Sequence, residues 1–236
     1  MNDVSAYQKF AEDQIGFRFN DINLLITAFT HRSFLNEHKR TVIEHNERLE
    51  FLGDAVLEMV VTEYLYLNYQ EQEGVLTNWR SALVRTESIG AAAQSSGFEA
   101  LLRLSRGERR GTRRARAQIL ANSFEAVIGA IYIDQGYERS KEFITKTILS
   151  TFPDILTNGT WIDPKSQLQE VVQSREGLTP AYKVIVEEGP DHDKLFTVGV
   201  YVEGKLRGQG RGPSKQAGQQ QAAEEALKSY LDLDQK

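Results

Sequence analysis

The spacing of apolar residues changes near residue 153, and this change divides the chain into two parts of different fold class. Up to residue 152, apolar side chains recur at helical spacing, and glycine and proline are sparse. Residues 153–164 contain two prolines and a glycine with little periodicity, and shorter alternating segments follow. The sequence therefore predicts a multi-domain protein with an all-α domain at 1–152, a linker at 153–162 and an α+β domain at 163–232.

The predicted C-terminal domain has the element order α-β-β-β-α within about 70 residues. The predicted elements are a helix at 167–173, strands at 182–186, 196–202 and 205–211, and a helix at 214–231. The second strand alternates valine with other residues, which predicts one buried face. Ser214 is the predicted N-cap of the last helix, because serine at that position satisfies free backbone N–H groups.

An acidic stripe is the sharpest feature of the helical part. At about 100° per residue, Glu47, Glu50, Asp54 and Glu58 fall within roughly 80° of one another on a helix. Stacked carboxylates repel each other, and a divalent cation with a preference for hard oxygen ligands would relieve that repulsion. A solvated acidic surface would produce the same pattern, so this helix alone leaves both interpretations open.

A second apolar segment, residues 119–134, carries Asn122 and Glu125 at i,i+3 spacing on one face. Small residues near its middle, including Gly129, favour close packing against another helix. Polar groups within a largely buried helix need partners, and a metal shared with the first helix would supply them. Satisfied polar groups in the core are the alternative.

Composition narrows the class of protein. The 236-residue chain has no cysteine, which excludes disulfides and cysteine-ligated zinc. Its net charge of −5 is unusual for a nucleic-acid-binding protein, but residues 103–116 contain seven arginines and one acid. That run is either a basic nucleic-acid-binding surface or a solvated loop. We see no secretory signal and no apolar run long enough for a membrane span, and we expect a cytoplasmic protein.

Several segments together resemble the ribonuclease III family. HNERLEFLGDAVLE at 45–58 is similar to the family signature almost letter for letter. AFTHRS at 28–33, EGVLT at 73–77 and LANSFEAVIG at 120–129 resemble further family segments in the same order. The C-terminal element order and GPSKQAGQQQAA at 212–223 resemble a double-stranded-RNA-binding domain. The resemblance covers nearly the whole chain.

The resemblance implies an endoribonuclease that hydrolyses double-stranded RNA and leaves 5′-phosphate and 3′-hydroxyl ends. It implies Mg²⁺ as cofactor, with Mn²⁺ as a substitute, and no organic cofactor. It also implies a homodimer with one active site per subunit, no membrane association, and processing of structured rRNA, mRNA and tRNA precursors.

The resemblance also implies site residues, carried over by position. Those of the first domain are catalytic Asp54 and Glu125, metal ligands Glu50, Asn122 and Glu125, and supporting acids Glu47 and Glu73. Those of the second domain are Gln169 and Glu170 in its first helix, His192 in the loop between its first two strands, and Ser214 and Lys215 at the start of its last helix.

The chain departs from the family pattern at Asn122, where an aspartate is usual. An amide oxygen can bind Mg²⁺ but brings no negative charge. An active enzyme is the favoured interpretation, because Glu50, Asp54 and Glu125 still supply three carboxylates. The alternative is a catalytically impaired double-stranded-RNA-binding protein. A third interpretation is a nuclease specialised for ribosomal precursors, with the C-terminal domain as an accessory.

Overall fold

The computed structural model describes residues 4–38, 44–159, 161, 163–190 and 194–231. The chain forms two compact units, Met1–Trp161 and Ile162–Lys236. Within the described residues, the first unit is all-helical, as the sequence predicts. Its helices are α1 (Val4–Phe10), α2 (Ile22–Ala28), α3 (Arg32–Glu37), α4 (Glu47–Asn68), α5 (Glu73–Val84), α6 (Thr86–Ser95), α7 (Arg113–Gln135), α8 (Tyr137–Thr147) and α9 (Phe152–Asn158). Short helical turns extend or join them at Ala11–Ile15, Phe98–Leu101, Glu108–Arg110 and Leu149–Thr151.

Helices α4 and α7 cross at two glycines that the sequence places near the acidic residues. A Cβ built at Gly53 would overlap the carbonyl oxygen of Glu125 and would lie 2.8 Å from the amide nitrogen of Gly129. A Cβ built at Gly129 would likewise overlap the carbonyl oxygen of Leu49. The backbones are therefore in direct contact, which only residues without a side chain allow.

The buried face of α4 is rotated relative to the apolar side of the predicted wheel. On a wheel with Glu47 at zero, the buried residues span about 180° to 360° and centre at about 265°, whereas Met59 lies at about 120° and Glu50 at about 300°. Met59, which the wheel groups with the apolar residues, is accordingly 61% exposed. Glu50 lies within the buried span, in the first turn of the helix, and is half-buried.

The segment predicted to be a linker, 153–162, begins instead as a helix. Phe152 and Ile155 of α9 are buried, and the Phe152 ring meets the Trp79 ring edge-on with 5.3 Å between centroids. Pro153 signalled a break in the sequence, but it lies in the first turn of α9. Proline is tolerated there because the backbone N–H it lacks has no partner within the helix.

The second unit has the predicted order α-β-β-β-α. Its elements are α10 (Pro164–Glu176), β1 (Ala181–Glu188), β2 (Leu195–Val202), β3 (Lys205–Gly212) and α11 (Lys215–Leu231). The three strands form an antiparallel sheet in the order β1-β2-β3, in which Val184 pairs with Val198 and Val198 pairs with Gly210. Bulges interrupt the register after Val184 and after Val200.

Helix α11 packs directly on the sheet. Val198, Val200 and Val202 are fully buried, which confirms the one-sided alternation predicted for β2. A Cβ built at Gly208 would lie 2.7 Å from the backbone nitrogen of Ala226, so glycine in β3 permits the close approach. The Ser214 Oγ accepts a hydrogen bond from the Ala217 amide at 3.1 Å, as expected of an N-cap. Among the described helices, none has the length and apolar character needed to cross a membrane.

Candidate active site

The crossing of α4 and α7 brings three acidic side chains near one another. Glu50 and Asp54 lie one turn apart on α4, and Glu125 lies on α7 beside Gly53. Asp54 is exposed, whereas Glu50 and Glu125 are half-buried. The small residues at the crossing therefore place carboxylates from two helices on the same rim of the core.

Burial and neighbouring negative charge both act on Glu50 and Glu125. Burial, followed by the charges of Asp54 and Glu50, raises the pKa of Glu125 from its ordinary 4.5 to about 7. Burial and the charge of Glu47 raise the pKa of Glu50, to which Asp54 also contributes. Like charges gathered in a partly desolvated place are costly without a counterion, and such perturbed groups are typical of functional sites.

Asn122 lies beside the acids and is held by a residue that sequence reasoning missed. The Gln118 Nε2 donates to the Asn122 Oδ1 at 2.7 Å. The Asn122 side chain also acts on Glu50 as a hydrogen-bond donor would, and opposes the upward shift of the Glu50 pKa. The i,i+4 spacing of a glutamine and an asparagine on one helix was the signal available in the sequence.

The two predicted supporting acids lie in different places. The Glu47 carboxylate is 3.4 Å from the Arg32 guanidinium and 3.8 Å from the His45 Nδ1, and its charge acts on Glu50. Glu73 instead lines a groove with Tyr66 on α4. Tyr66 is 16 residues beyond Glu50 on that helix, which corresponds to about 24 Å at 1.5 Å per residue. Within one chain, Glu47 is near the acids and Glu73 is not.

The donor set fits a divalent cation in its chemistry. Three carboxylates and an amide supply the hard oxygen ligands that Mg²⁺ and Mn²⁺ prefer. Burial, followed by neighbouring negative charge, raises the pKa of Glu50 and Glu125, and a cation would offset both effects. Within the described ranges, no three His, Cys, Asp or Glu side chains already form a ready-made metal-binding group. A cation held by three of these side chains would therefore require them to move closer together.

The segment that resembles the family's early motif has a structural role. The His31 Nδ1 lies 2.8 Å from the Ser33 Oγ and accepts from the Ser33 amide, which caps α3. The Ser33 Oγ also accepts from the Ser105 backbone amide at 3.1 Å. Arg103 donates to the Thr30 Oγ1 at 3.0 Å. These bonds join the start of α3 to the segment that precedes the arginine-rich turn.

Two arginines of the run at 103–116 make contacts within the first unit, and the other five are exposed. Arg103 lies over the Phe34 ring, and Arg116 is 3.3 Å from the Glu99 carboxylate. The exposed members of the run are Arg106, Arg109, Arg110, Arg113 and Arg114. They form a basic surface around the start of α7.

The predicted RNA-binding residues of the second unit are exposed where they are described. Gln169 and Glu170 lie on α10, and Ser214 and Lys215 lie at the start of α11. His192 lies outside the described residues. The Lys215 Nζ is 3.1 Å from the Glu187 carboxylate on β1, so an acid competes with phosphate for this lysine.

An exposed apolar surface lies beside the acids. Phe51 is 82% exposed on α4, and Ile133 on α7 is 57% exposed. Both line a groove of about 770 Å³, together with Leu24, Leu49 and Leu52. Large apolar side chains grouped in this way are typical of an interaction surface.

Comparisons with known proteins identify the families that the two parts of the chain match. Residues 21–152 match the model of the Ribonuclease-III-like family, and residues 164–230 match that of the double-stranded RNA binding motif. The chain is 45% identical to Ribonuclease 3 of Enterococcus faecalis, over 92% of this chain and 95% of that protein. It is 42% identical to Ribonuclease 3 of Streptococcus pneumoniae (strain Taiwan19F-14), over 97% of this chain and 99% of that protein.

A solved structure also resembles the first unit. It is the nuclease domain of ribonuclease III from Campylobacter jejuni, with a TM-score of 0.55 and 38% identity. The similarity covers 61% of this chain and 98% of that one. Members of the family are generally dependent on a divalent metal. The second unit, through its RNA-binding motif, indicates binding of double-stranded RNA.

Both family models and the near full-length similarity to proteins named Ribonuclease 3 lead to the same conclusion. The chain belongs to the ribonuclease III family of endoribonucleases.

Proposed function

We propose that Glu50, Asp54 and Glu125 hold a divalent cation, Mg²⁺ or Mn²⁺, at the α4–α7 crossing, where the enzyme hydrolyses double-stranded RNA. The observation that carries this assignment is the backbone contact of Gly53 with Glu125 and Gly129, which brings Glu125 close enough to Glu50 and Asp54 for their charges to raise its pKa. When bound, the cation supplies Lewis-acid polarisation of the phosphate and lowers the pKa of water. Asp54 and Glu125 are the proposed catalytic residues, with Glu50 and Glu125 as principal metal ligands.

The carboxylates themselves have distinct chemical capacities. In the metal-free chain, a pKa of about 7 lets Glu125 take up or release a proton near neutral pH, and a bound cation would hold it as the carboxylate that a ligand requires. Asp54 is exposed and can reach a phosphate or a water molecule at the rim. Glu47 holds Arg32 beside the site, where the guanidinium can also meet RNA phosphate.

The proposed substrate is a long RNA duplex within a structured rRNA, mRNA or tRNA precursor in the cytoplasm. Attack of water on phosphorus breaks the bond from phosphorus to the 3′ bridging oxygen, which leaves and is protonated, so the products carry 5′-phosphate and 3′-hydroxyl ends. Gln169, Glu170, His192, Ser214 and Lys215 are the proposed contacts of the second unit. Recognition by shape through phosphate and 2′-hydroxyl groups suits a module without base-specific pockets.

We further propose that two copies of the chain pair through the groove at Phe51. An aromatic ring that is 82% exposed and lines a groove of about 770 Å³ could enter the same groove of a second copy in a two-fold arrangement. The Campylobacter jejuni structure is described as having a region involved in dimer formation of its nuclease domain. Sedimentation of the native chain and of Phe51→Asp at micromolar concentration tests this, and a native monomer would contradict it.

Cleavage of a long RNA duplex with Mg²⁺ tests the assignment of the acids. Glu125→Gln and Asp54→Asn preserve shape while removing one charge, and we expect each to lower the rate by a factor of about 100 or more. The matched control is Glu58→Gln, which removes an acid from the same helix one turn beyond Asp54 and should keep full activity.

The outcomes separate the two classes of function that the sequence left open. A native chain that binds the duplex but does not cut it with Mg²⁺ or Mn²⁺ would support the impaired RNA-binding protein. Undiminished cleavage by Glu125→Gln would place the active site elsewhere. Family membership and three retained carboxylates favour the active enzyme.

A further inference from the structure

Gln118 and Asn122 form an amide pair one turn apart on α7. The Gln118 Nε2 donates to the Asn122 Oδ1 at 2.7 Å. The oxygen of the Asn122 amide is therefore engaged within α7, and its NH₂ is left for another partner. Asn122 opposes the upward shift of the Glu50 pKa, as a hydrogen-bond donor to a carboxylate does.

In this arrangement the Asn122 Oδ1, the atom through which Asn122 could bind a cation, is already hydrogen-bonded to Gln118. The NH₂ group of an amide has no ligand capacity, and Mg²⁺ and Mn²⁺ bind amides through oxygen. While its Oδ1 accepts from Gln118, Asn122 can act on Glu50 only as a hydrogen-bond donor. To serve a cation, the Asn122 amide must turn over and present its NH₂ to Gln118.

We propose that Gln118 is a positioning residue that decides whether Asn122 acts as a hydrogen-bond donor to Glu50 or as an oxygen ligand to a divalent cation. This inference rests on the proposed cation site. Glutamine suits both states, because its own amide can donate to Oδ1 or, after turning over, accept from the NH₂. A glutamate at position 118 accepts only, so it fixes the Asn122 oxygen toward the acids.

The first test needs no metal and examines the orientation itself. In ¹⁵N–¹H NMR spectra of the full chain, the side-chain NH₂ signal that Asn122→Ala removes identifies Asn122. We expect that signal to move in Gln118→Met and to move in Glu50→Gln, because both flanking partners define its environment. A signal that stays unchanged in both variants would overturn the proposed pairing. Gln118 is exposed, so its substitution leaves the core intact.

The second test measures binding of Mn²⁺ alone, by the EPR signal of free Mn²⁺ in the absence of RNA. Gln118→Glu adds a negative charge and also turns the Asn122 amide. Its effect on Mn²⁺ affinity is therefore measured both in the native chain and in an Asn122→Ala background. The added charge acts in both backgrounds, whereas the reorientation acts only where Asn122 is present. We expect the gain in affinity to be about fivefold larger in the native background, within the range of couplings between contacting residues.

The outcomes distinguish this proposal from the proposed cation site. Equal gains in both backgrounds would show that charge alone acts, and would overturn the role of Gln118 while leaving the cation site standing. Mn²⁺ binding that survives Glu125→Ala would overturn the cation site and the ligand role of Asn122 with it. The metal-free spectra then still decide whether Gln118 orients the amide.

Discussion

Gly53 on α4 and Gly129 on α7 lie in backbone contact, and this contact sets the spacing between the helices that carry the acids. A Cβ built at Gly53 would be 2.8 Å from the Gly129 nitrogen, and one built at Gly129 would be 3.2 Å from the Gly53 nitrogen. A methyl group at either position requires the helices to separate, which moves Glu50 and Glu125 apart.

We therefore expect Gly53→Ala and Gly129→Ala each to lower the free energy of unfolding by about 1–3 kcal/mol or more, as overpacking does. Both should also weaken Mg²⁺-dependent cleavage. Gly74→Ala is the matched control, since a Cβ there has nothing within 4 Å, and alanine in a helix should stabilise by about 1 kcal/mol or less. Urea unfolding measures all three, and equal stability of Gly53→Ala and the native chain would refute the contact.

Glu125 gives the metal-free protein a pH-dependent stability. Its pKa is raised to about 7 in the folded chain, so folding favours the protonated form. The unfolded chain releases that proton near pH 4.5, and stability contributed by this group should therefore fall as pH rises from about 4.5 to about 7. Glu125→Gln should remove this decline and stabilise the protein by on the order of 1 kcal/mol above pH 7 without metal. Thermal unfolding with chelator between pH 5 and pH 8 measures the effect, and parallel profiles would contradict it.

Asn122→Asp should raise the affinity for Mg²⁺ and widen the range of Mg²⁺ concentration that supports cleavage. The added carboxylate is a better ligand than a neutral amide for a hard cation. Without metal it adds repulsion to Glu50 and Glu125, so the variant should unfold at lower temperature and gain more stability on adding Mg²⁺. Titrating cleavage against Mg²⁺ decides this, and an unchanged or higher half-saturating concentration would show that the amide is already suited to its place.

Glu187 should limit RNA binding by the second unit. Its carboxylate is 3.1 Å from the Lys215 Nζ and 3.7 Å from the Lys194 Nζ. Glu187→Gln should release Lys215 for phosphate and tighten binding to a duplex severalfold at low salt, with the gain shrinking as salt rises. Glu224→Gln, an equal change of charge on the exposed side of α11, should have a smaller effect. Similar gains in both variants would indicate a general charge effect.

Local patterns in the sequence determined the element types and the order of the domains. Period-3.6 spacing predicts the long helices α4 and α7, and alternation predicts β2, because these patterns depend only on neighbours along the chain. The same local geometry places Glu50 and Asp54 on one stripe and Asn122 and Glu125 on another. Ser214 as a helix cap follows for the same reason, since capping involves residues three positions apart.

Only the tertiary structure decided how those stripes face each other. A helical wheel gives the angles between residues but not the rotation of the helix toward the core, so Met59 is exposed and Glu50 is half-buried. Packing between distant segments also made the start of the predicted linker part of α9. It placed Glu73 of α5 beside Tyr66, at a distance along α4 from the other acids. Asn122 also acts on the Glu50 pKa across the helix crossing, and proximity between residues 72 positions apart has no signature in the local sequence.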